Sequence, residues 1–289
     1  MIKKSFVFVL FLVMVFSVSA FAGEGSDTIG NCRLQPELRY TYVQNHLRSE
    51  SFFLRGVMNG EKSDWWNTGH RAYLQLTYGA GDYVDIYGLV GASISGRTTG
   101  ENPTDTVHME SNLGTNFLWG LGVKATFFRA DNGFYVGAGA SLTYVYTHDD
   151  RFFERNEVLF PFPFKADTLQ LKGDLHAGWH IGDTGLTPYV GIEYNWTKAN
   201  VELHGLFPLD TTLDIAFHED YPLGVYVGLD YLLNDKLYFN LEGNMVNRWG
   251  GSFSVGYRFD LCGKPAPIAP PPPPPPPVIE PKLEPMTKN

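Results

Sequence analysis

Beyond its first two dozen residues the chain has no long apolar run, so it lacks the ~20 consecutive apolar residues that a membrane-spanning helix needs. Cysteine is nearly absent, with 2 in 289 residues, which leaves no cysteine-based metal cluster. Basic residues neither dominate nor gather. Lys and Arg number 22 against 31 Asp and Glu, a formal charge of -9, and nothing clusters to neutralise phosphates. Nucleic acid is therefore not a partner. No phosphate loop and no nucleophile elbow occurs. His176 and His180 share one strand face four residues apart, roughly 13 Å, too far to hold one ion. No metal and no cofactor is expected.

Glycine and aromatic residues are abundant instead: 31 Gly, 21 Phe, 16 Tyr and 6 Trp, with charged residues only 18% of the chain. That balance suits a β-rich exported protein. The N-terminus carries an export signal: Lys3-Lys4, an apolar core over 6–18, and Ala20-Phe21-Ala22 as the small-x-small cleavage site. Cleavage is placed after Ala22, with Ala20 as the alternative. The apolar core is close to the lower limit for a spanning helix, so a retained anchor is the lesser reading. No lipobox-like run precedes Cys32, which argues against lipid attachment there.

From Leu34 to Leu261 the pattern repeats as strand, tight turn, strand, long polar connection. The tight turns are Ala80-Gly81-Asp82, Ala130-Asp131-Asn132-Gly133, Gly182-Asp183-Thr184-Gly185 and Leu233-Asn234-Asp235-Lys236, all of residues that tolerate positive φ or bond their own backbone. The long connections are 48–69, 95–114, 148–167 and 199–220. Ten strands are expected over 36–44, 71–78, 83–94, 115–127, 134–147, 169–181, 187–197, 223–231, 237–246 and 252–261. Each approaches or exceeds the ~9–11 residues that a tilted strand needs to cross a bilayer. Eight or twelve strands would follow if the shortest hairpin were split differently or if 52–57 added a strand.

The alternation has the sign of a lipid-facing strand. In the last one, Phe253, Val255, Tyr257, Phe259 and Leu261 share a face, and Ser254, Gly256, Arg258 and Asp260 share the other. The sixth sets Leu169, Leu171, Leu175, Ala177, Trp179 and Ile181 against Gln170, Lys172, Asp174, His176 and His180. Aromatics gather near strand ends, with Tyr78, Tyr83, Phe127, Phe134, Trp179, Tyr231 and Phe259 on the turn side. Phe117, Trp119, Tyr144, Tyr146, Trp196 and Trp249 stand on the loop side. Two such belts anchor a barrel at both interfaces. The expected fold is an all-β, antiparallel up-and-down transmembrane barrel in a bacterial outer membrane, contacting its lipid and lipopolysaccharide.

An even strand count returns the chain to the rim where it began. Cys32, just before the first strand, and Cys262, just after the last, then meet in an oxidising compartment, where a disulfide persists. Beyond Cys262 the composition changes to proline, unbroken over 270–277, a stiff polyproline II rod without a packed core. The organisation is a signal peptide over 1–22, a periplasmic lead over 23–33, the barrel over 34–262 and a disordered Pro-rich periplasmic tail over 263–289, which could dock a periplasmic partner.

The export signal, the final strand Val255-Gly256-Tyr257-Arg258-Phe259 and the Ala/Pro-rich hinge together resemble the OmpA-like outer-membrane proteins. Ser254, Gly256, Phe259 and Leu261 resemble the carboxy-terminal signal that the barrel-assembly machinery reads, which implies that machinery as a partner. OmpA-like proteins usually have eight strands and carry a peptidoglycan-binding domain after the hinge. Here the chain reaches Asn289 too soon for one, so cell-wall anchoring is not carried over.

The inward faces hold Glu37, Arg39, Arg71, Asp85, Lys124, Lys172, Asp174, Glu193, Asp230, Glu242 and Arg258. Isolated charges are costly in so narrow a barrel, so salt bridges crossing the lumen and trapped water are expected. Inward glycines (Gly120, Gly122, Gly137, Gly139, Gly178, Gly191, Gly228) either admit water or let Tyr73, Tyr87 and Tyr226 pack across. The function read from this is a structural barrel or a narrow, low-conductance porin. The alternative is surface binding through the loops, where Trp65-Trp66 and 160–164 are apolar. A protease is the lesser reading. His148-Asp149-Asp150 and His218-Glu219-Asp220 could each activate water, but polar triplets are common in loops and no spacing fixes their geometry. No enzyme is expected.

Overall fold

The computed structural model describes residues 26–49, 64–102, 105–113, 115–149, 154–155, 158–159, 164–203, 213–219, 222–245 and 249–262. The segment 1–22 expected to be a signal peptide, the proline-rich 263–289, 52–57 and most of 160–164 lie outside them. In chain order the strands are β1 (Arg33–Ser49), β2 (Asp64–Gly79), β3 (Val84–Asn102), β4 (Asp105–Leu113), β5 (Asn116–Arg129), β6 (Phe134–Asp149), β7 (Glu154–Arg155), β8 (Val158–Leu159), β9 (Phe164–Trp179), β10 (Leu186–Leu203), β11 (Leu213–Glu219), β12 (Leu223–Leu233), β13 (Leu237–Met245), β14 (Trp249–Tyr257) and β15 (Phe259–Asp260). A 3-10 turn, Gly182–Thr184, joins β9 to β10.

Ten of these strands close a barrel. Antiparallel pairing runs β1–β2–β3–β5–β6–β9–β10–β12–β13–β14 and returns to β1 through Glu37↔Gly256 to Gln44↔Trp249. Closure leaves no edge, so every strand satisfies its backbone within lipid. Burial is inverted relative to a water-soluble protein. Along β5, Asn116, Gly120 and Lys124 are buried while Phe117, Trp119, Leu121 and Val123 are exposed. The exposed apolar residues form the lipid-facing band, and polar residues fill the inside.

The turns are those the composition indicated. Asn234 and Asp235 both take positive φ (52° and 57°), a type I′ pattern whose twist suits a two-residue hairpin. Asn132 Oδ1 accepts the Phe134 amide at 3.1 Å, closing the turn that ends in Gly133.

Two features depart from expectation. First, several strands continue far past the bilayer on the loop side: β1 has 17 residues, β2 16, β3 19 and β10 18. Parts of 48–69, 95–114, 148–167 and 199–220 are therefore strand, not loop. The apolar alternation stops where lipid stops, but antiparallel pairing goes on in water. Above the short β13–β14 hairpin, β11 pairs with both β10 and β1, so one strand there stands in for three. Second, the last strand breaks at Arg258. Its guanidinium turns inward to Gln35 Oε1 (2.7 Å), and Phe259-Asp260 resume as β15 against Arg33-Leu34. Asp260 accordingly sits exposed at the rim, paired with Arg33 at 3.2 Å, instead of inside.

Candidate functional site

All eleven lumen charges named from the sequence lie on the inner wall. Among the described residues, three salt bridges of these charges run along the wall instead of crossing the lumen. Arg39 bonds Glu37 two residues away on β1 (2.6 and 2.8 Å), Lys124 faces Asp85 on the adjacent strand (3.5 Å), and Lys172 faces Glu193 likewise (3.3 Å). Tyr226 donates to Asp174 Oδ2 (2.7 Å), Tyr189 to Glu242 Oε2 (2.7 Å) and Asn244 to Glu193 Oε1 (3.0 Å), each over an intervening strand, while Tyr238 donates to Asp230 Oδ1 on the adjacent one (2.8 Å). Arg71 reaches Gln170 on β9 at 3.3 Å. The phenols of Tyr189 and Tyr226 each span one intervening strand, and the Arg71 guanidinium reaches farther round the wall, over β3, β5 and β6.

The ambiguity over the inward glycines is settled for several of them. Tyr87 lies opposite Gly122, Tyr135 opposite Gly178, Tyr189 opposite Gly228 and Tyr226 opposite Gly191. A Cβ at any of these four glycines would overlap the tyrosine ring facing it. Gly137 and Gly139 make the same room for His176 and Asp174. These six glycines make room for side chains of the neighbouring strand, aromatic rings at four of them. Tyr135, Tyr226, Asp85, Asn195, Asn244 and Ser254, drawn from six strands around the wall, each have 0% of their surface accessible to water. A residue lining a water-filled pore could not.

At the turn-side mouth the structure adds what sequence reasoning missed. Ser26 to Cys32 is not a free lead but folds across the opening, with Asp27, Thr28 and Ile29 buried. Asp27 Oδ1 accepts hydrogen bonds from Thr126 Oγ1 (2.6 Å), Arg129 Nη2 (2.8 Å) and the Thr28 amide (2.8 Å). Asp27 Oδ2 meets His180 Nε2 at 2.8 Å, while His180 Nδ1 bonds Thr187 Oγ1 at 2.8 Å and the imidazole stacks on Tyr135. Burial by itself would raise the Asp27 pKa. Hydrogen bonds from His180, Arg129 and Thr126, with the Arg129 charge, outweigh it and hold the carboxyl well below the usual carboxylate range.

The rest of the segment is fastened too. The Ile29 amide donates to Asp85 Oδ2 (2.9 Å), and Lys124 Nζ donates to Ser26 Oγ (2.8 Å) and the Asp27 carbonyl (3.2 Å). Gly30 turns the chain at φ 89°, and Gly79 lies so close to it that a Cβ there would strike the Gly30 carbonyl. The Cys32–Cys262 disulfide, with Cα atoms 5.6 Å apart, then ties the segment to the end of the last strand. No periodicity marks these residues, and Asp27 finds His180 across 153 positions of sequence.

Ser254 and Gly256 face inward, while Phe259 and Leu261 are exposed at the turn-side rim. His148 and His218 alternate with the inward Thr147 and Glu219, so both point outward on β6 and β11 with β9 and β10 between them. The described residues do not bring the two histidines together; Asp150 and Asp220 lie outside them.

Barrel, lipid-facing band and polar interior define an outer-membrane β-barrel. No protein-family profile matches the chain, and no curated protein matches it. Among solved structures, the outer membrane protease OmpT from Escherichia coli is similar at a TM-score of 0.51, with 10% identity over 78% of this chain and 96% of that one. The outer membrane protein OprG from Pseudomonas aeruginosa gives 0.47 and 12%, over 81% of this chain and 99% of that one. The toluene transporter TbuX from Ralstonia pickettii gives 0.38 and 8%, over 80% and 90%. At these identities what is shared with OmpT is the fold.

Proposed function

We propose that the protein is a closed structural barrel of the bacterial outer membrane, OmpA-like in plan, whose lumen passes small solutes only through rare, narrow openings. The observation that carries this reading is the absence of water-accessible surface on lumen residues from six different strands. The export signal at 1–22 and the polyproline run at 270–277 support a periplasmic turn side, with the tail available to a periplasmic partner. The exposed Phe259 and Leu261 at the end of the barrel support recognition by the assembly machinery. Single-channel recording of refolded protein in a planar bilayer tests the function. Silence or brief flickers from demonstrably folded protein are expected, and steady ohmic steps would replace the reading with a diffusion porin.

A further inference from the structure

We infer that the turn-side mouth is a carboxylate receptor, built from Thr126, Arg129 and His180 and occupied here by the chain's own Asp27. The receptor belongs to the barrel. Thr126 and Arg129 end β5, and His180 stands in the turn after β9, so two separate parts of the wall converge on one carboxylate. Both oxygens are engaged, Oδ1 by a hydroxyl and a guanidinium and Oδ2 by an imidazole, at 2.6–2.8 Å. Arg129 supplies the fixed positive charge that makes such hydrogen bonds strong. His180 is oriented by Thr187 and by stacking on Tyr135, so the donors are held before the ligand arrives.

The occupant, by contrast, is carried on a short segment lying across the opening. It is delivered like a ligand, at high effective concentration because Cys32 is fastened to Cys262. A cavity of about 90 Å³ adjoins the pair, lined among others by Asp27, His180, Thr187, Tyr238 and Arg258. The donor set takes one carboxylate through both its oxygens, which matches a small monocarboxylate. Occupancy by Asp27 seals the mouth, so the receptor and the segment act as socket and plug. This inference stands apart from the conductance reading, since docking holds whether or not the lumen passes ions.

Hydrogen exchange on the full chain in detergent tests it. In wild type the Thr28 and Ile29 amides, which donate to Asp27 and Asp85, exchange slowly. Asp27→Ala is expected to speed them about tenfold or more while the amides of β5 and β9 keep their protection. Asp27→Asn, which keeps the side-chain volume, is expected to speed them in the same direction. Sodium formate added to Asp27→Ala refills the socket and restores slow exchange. Sodium chloride at equal ionic strength does not, and adding Arg129→Leu removes the formate effect. Unchanged exchange in both Asp27 variants, or equal responses to formate and chloride, would overturn the receptor.

Discussion

A tyrosine laid across the strand it faces needs a neighbour without a side chain, and four lumen tyrosines have one. Gly191→Ala should therefore push the Tyr226 ring off its seat and disturb the 2.7 Å bond it donates to Asp174. A loss of about 1–3 kcal/mol is expected from overpacking, against about 1 kcal/mol for Tyr226→Phe, which keeps the ring and loses one hydrogen bond. Urea titration followed by tryptophan fluorescence measures both, and an equal loss in the two variants would contradict the seating argument. Asp27 gives a pH signature. Its folded pKa lies below the unfolded one, so its contribution is fully present above the unfolded value of about 3.9 and is lost as pH falls through the lowered one. Asp27→Asn keeps the shape of the side chain and removes its charge, so the difference between the two reports this carboxyl together with its pairing to Arg129 and His180. That stability difference should shrink as pH falls below about pH 4. A difference that instead grew on acidification would reverse the assigned sign.

Strands were legible where lipid imposes a pattern. All ten intramembrane segments follow from apolar–polar alternation, because one face of each must be oily and the other must not. Above the bilayer both faces of a strand can be polar, so the extensions of β2, β3 and β10, and β11 altogether, left no period to read. The Ser26–Cys32 segment was illegible for a different reason: it is neither helix nor strand, and its partners at Thr126, Arg129 and His180 are fixed only by barrel closure. The disulfide, by contrast, follows from strand parity, which sends both chain ends to one rim. It closes 230 positions of sequence, for which chain-entropy reasoning gives roughly 5 kcal/mol as an upper figure. Replacing Cys32 and Cys262 together with Ser should lower unfolding stability in lipid by about 2–5 kcal/mol. A loss below that range, with the wild-type bridge shown intact by gel mobility, would mean that barrel hydrogen bonding already holds the seam.

On the closed-barrel reading, what matters for the whole molecule is which layer sets the barrier, since the Ser26–Cys32 segment lies across the mouth and the tyrosines occupy the middle. Tyr189 and Tyr226 pack edge to face with centroids 6.2 Å apart, each over a glycine of the neighbouring strand. Removing either ring alone leaves its partner to lean into the space. Removing both, as Tyr189→Ala with Tyr226→Ala, leaves Gly191 and Gly228 facing the void beside the polar groups of Lys172, Asn240 and Glu242. It also strips Glu242 and Asp174 of their phenol donors, so water must enter to solvate two carboxylates. If the tyrosine layer sets the barrier, the double variant should convert a silent barrel into one with steady, cation-preferring steps, and deletion of 26–31 alone should not. If the plug sets it, the result reverses: the deletion conducts and the double variant stays closed. The geometry favours the first outcome. The plug covers one mouth, but buried residues from six strands continue through the lumen behind it, and a gate at one end adds little resistance to a path already filled.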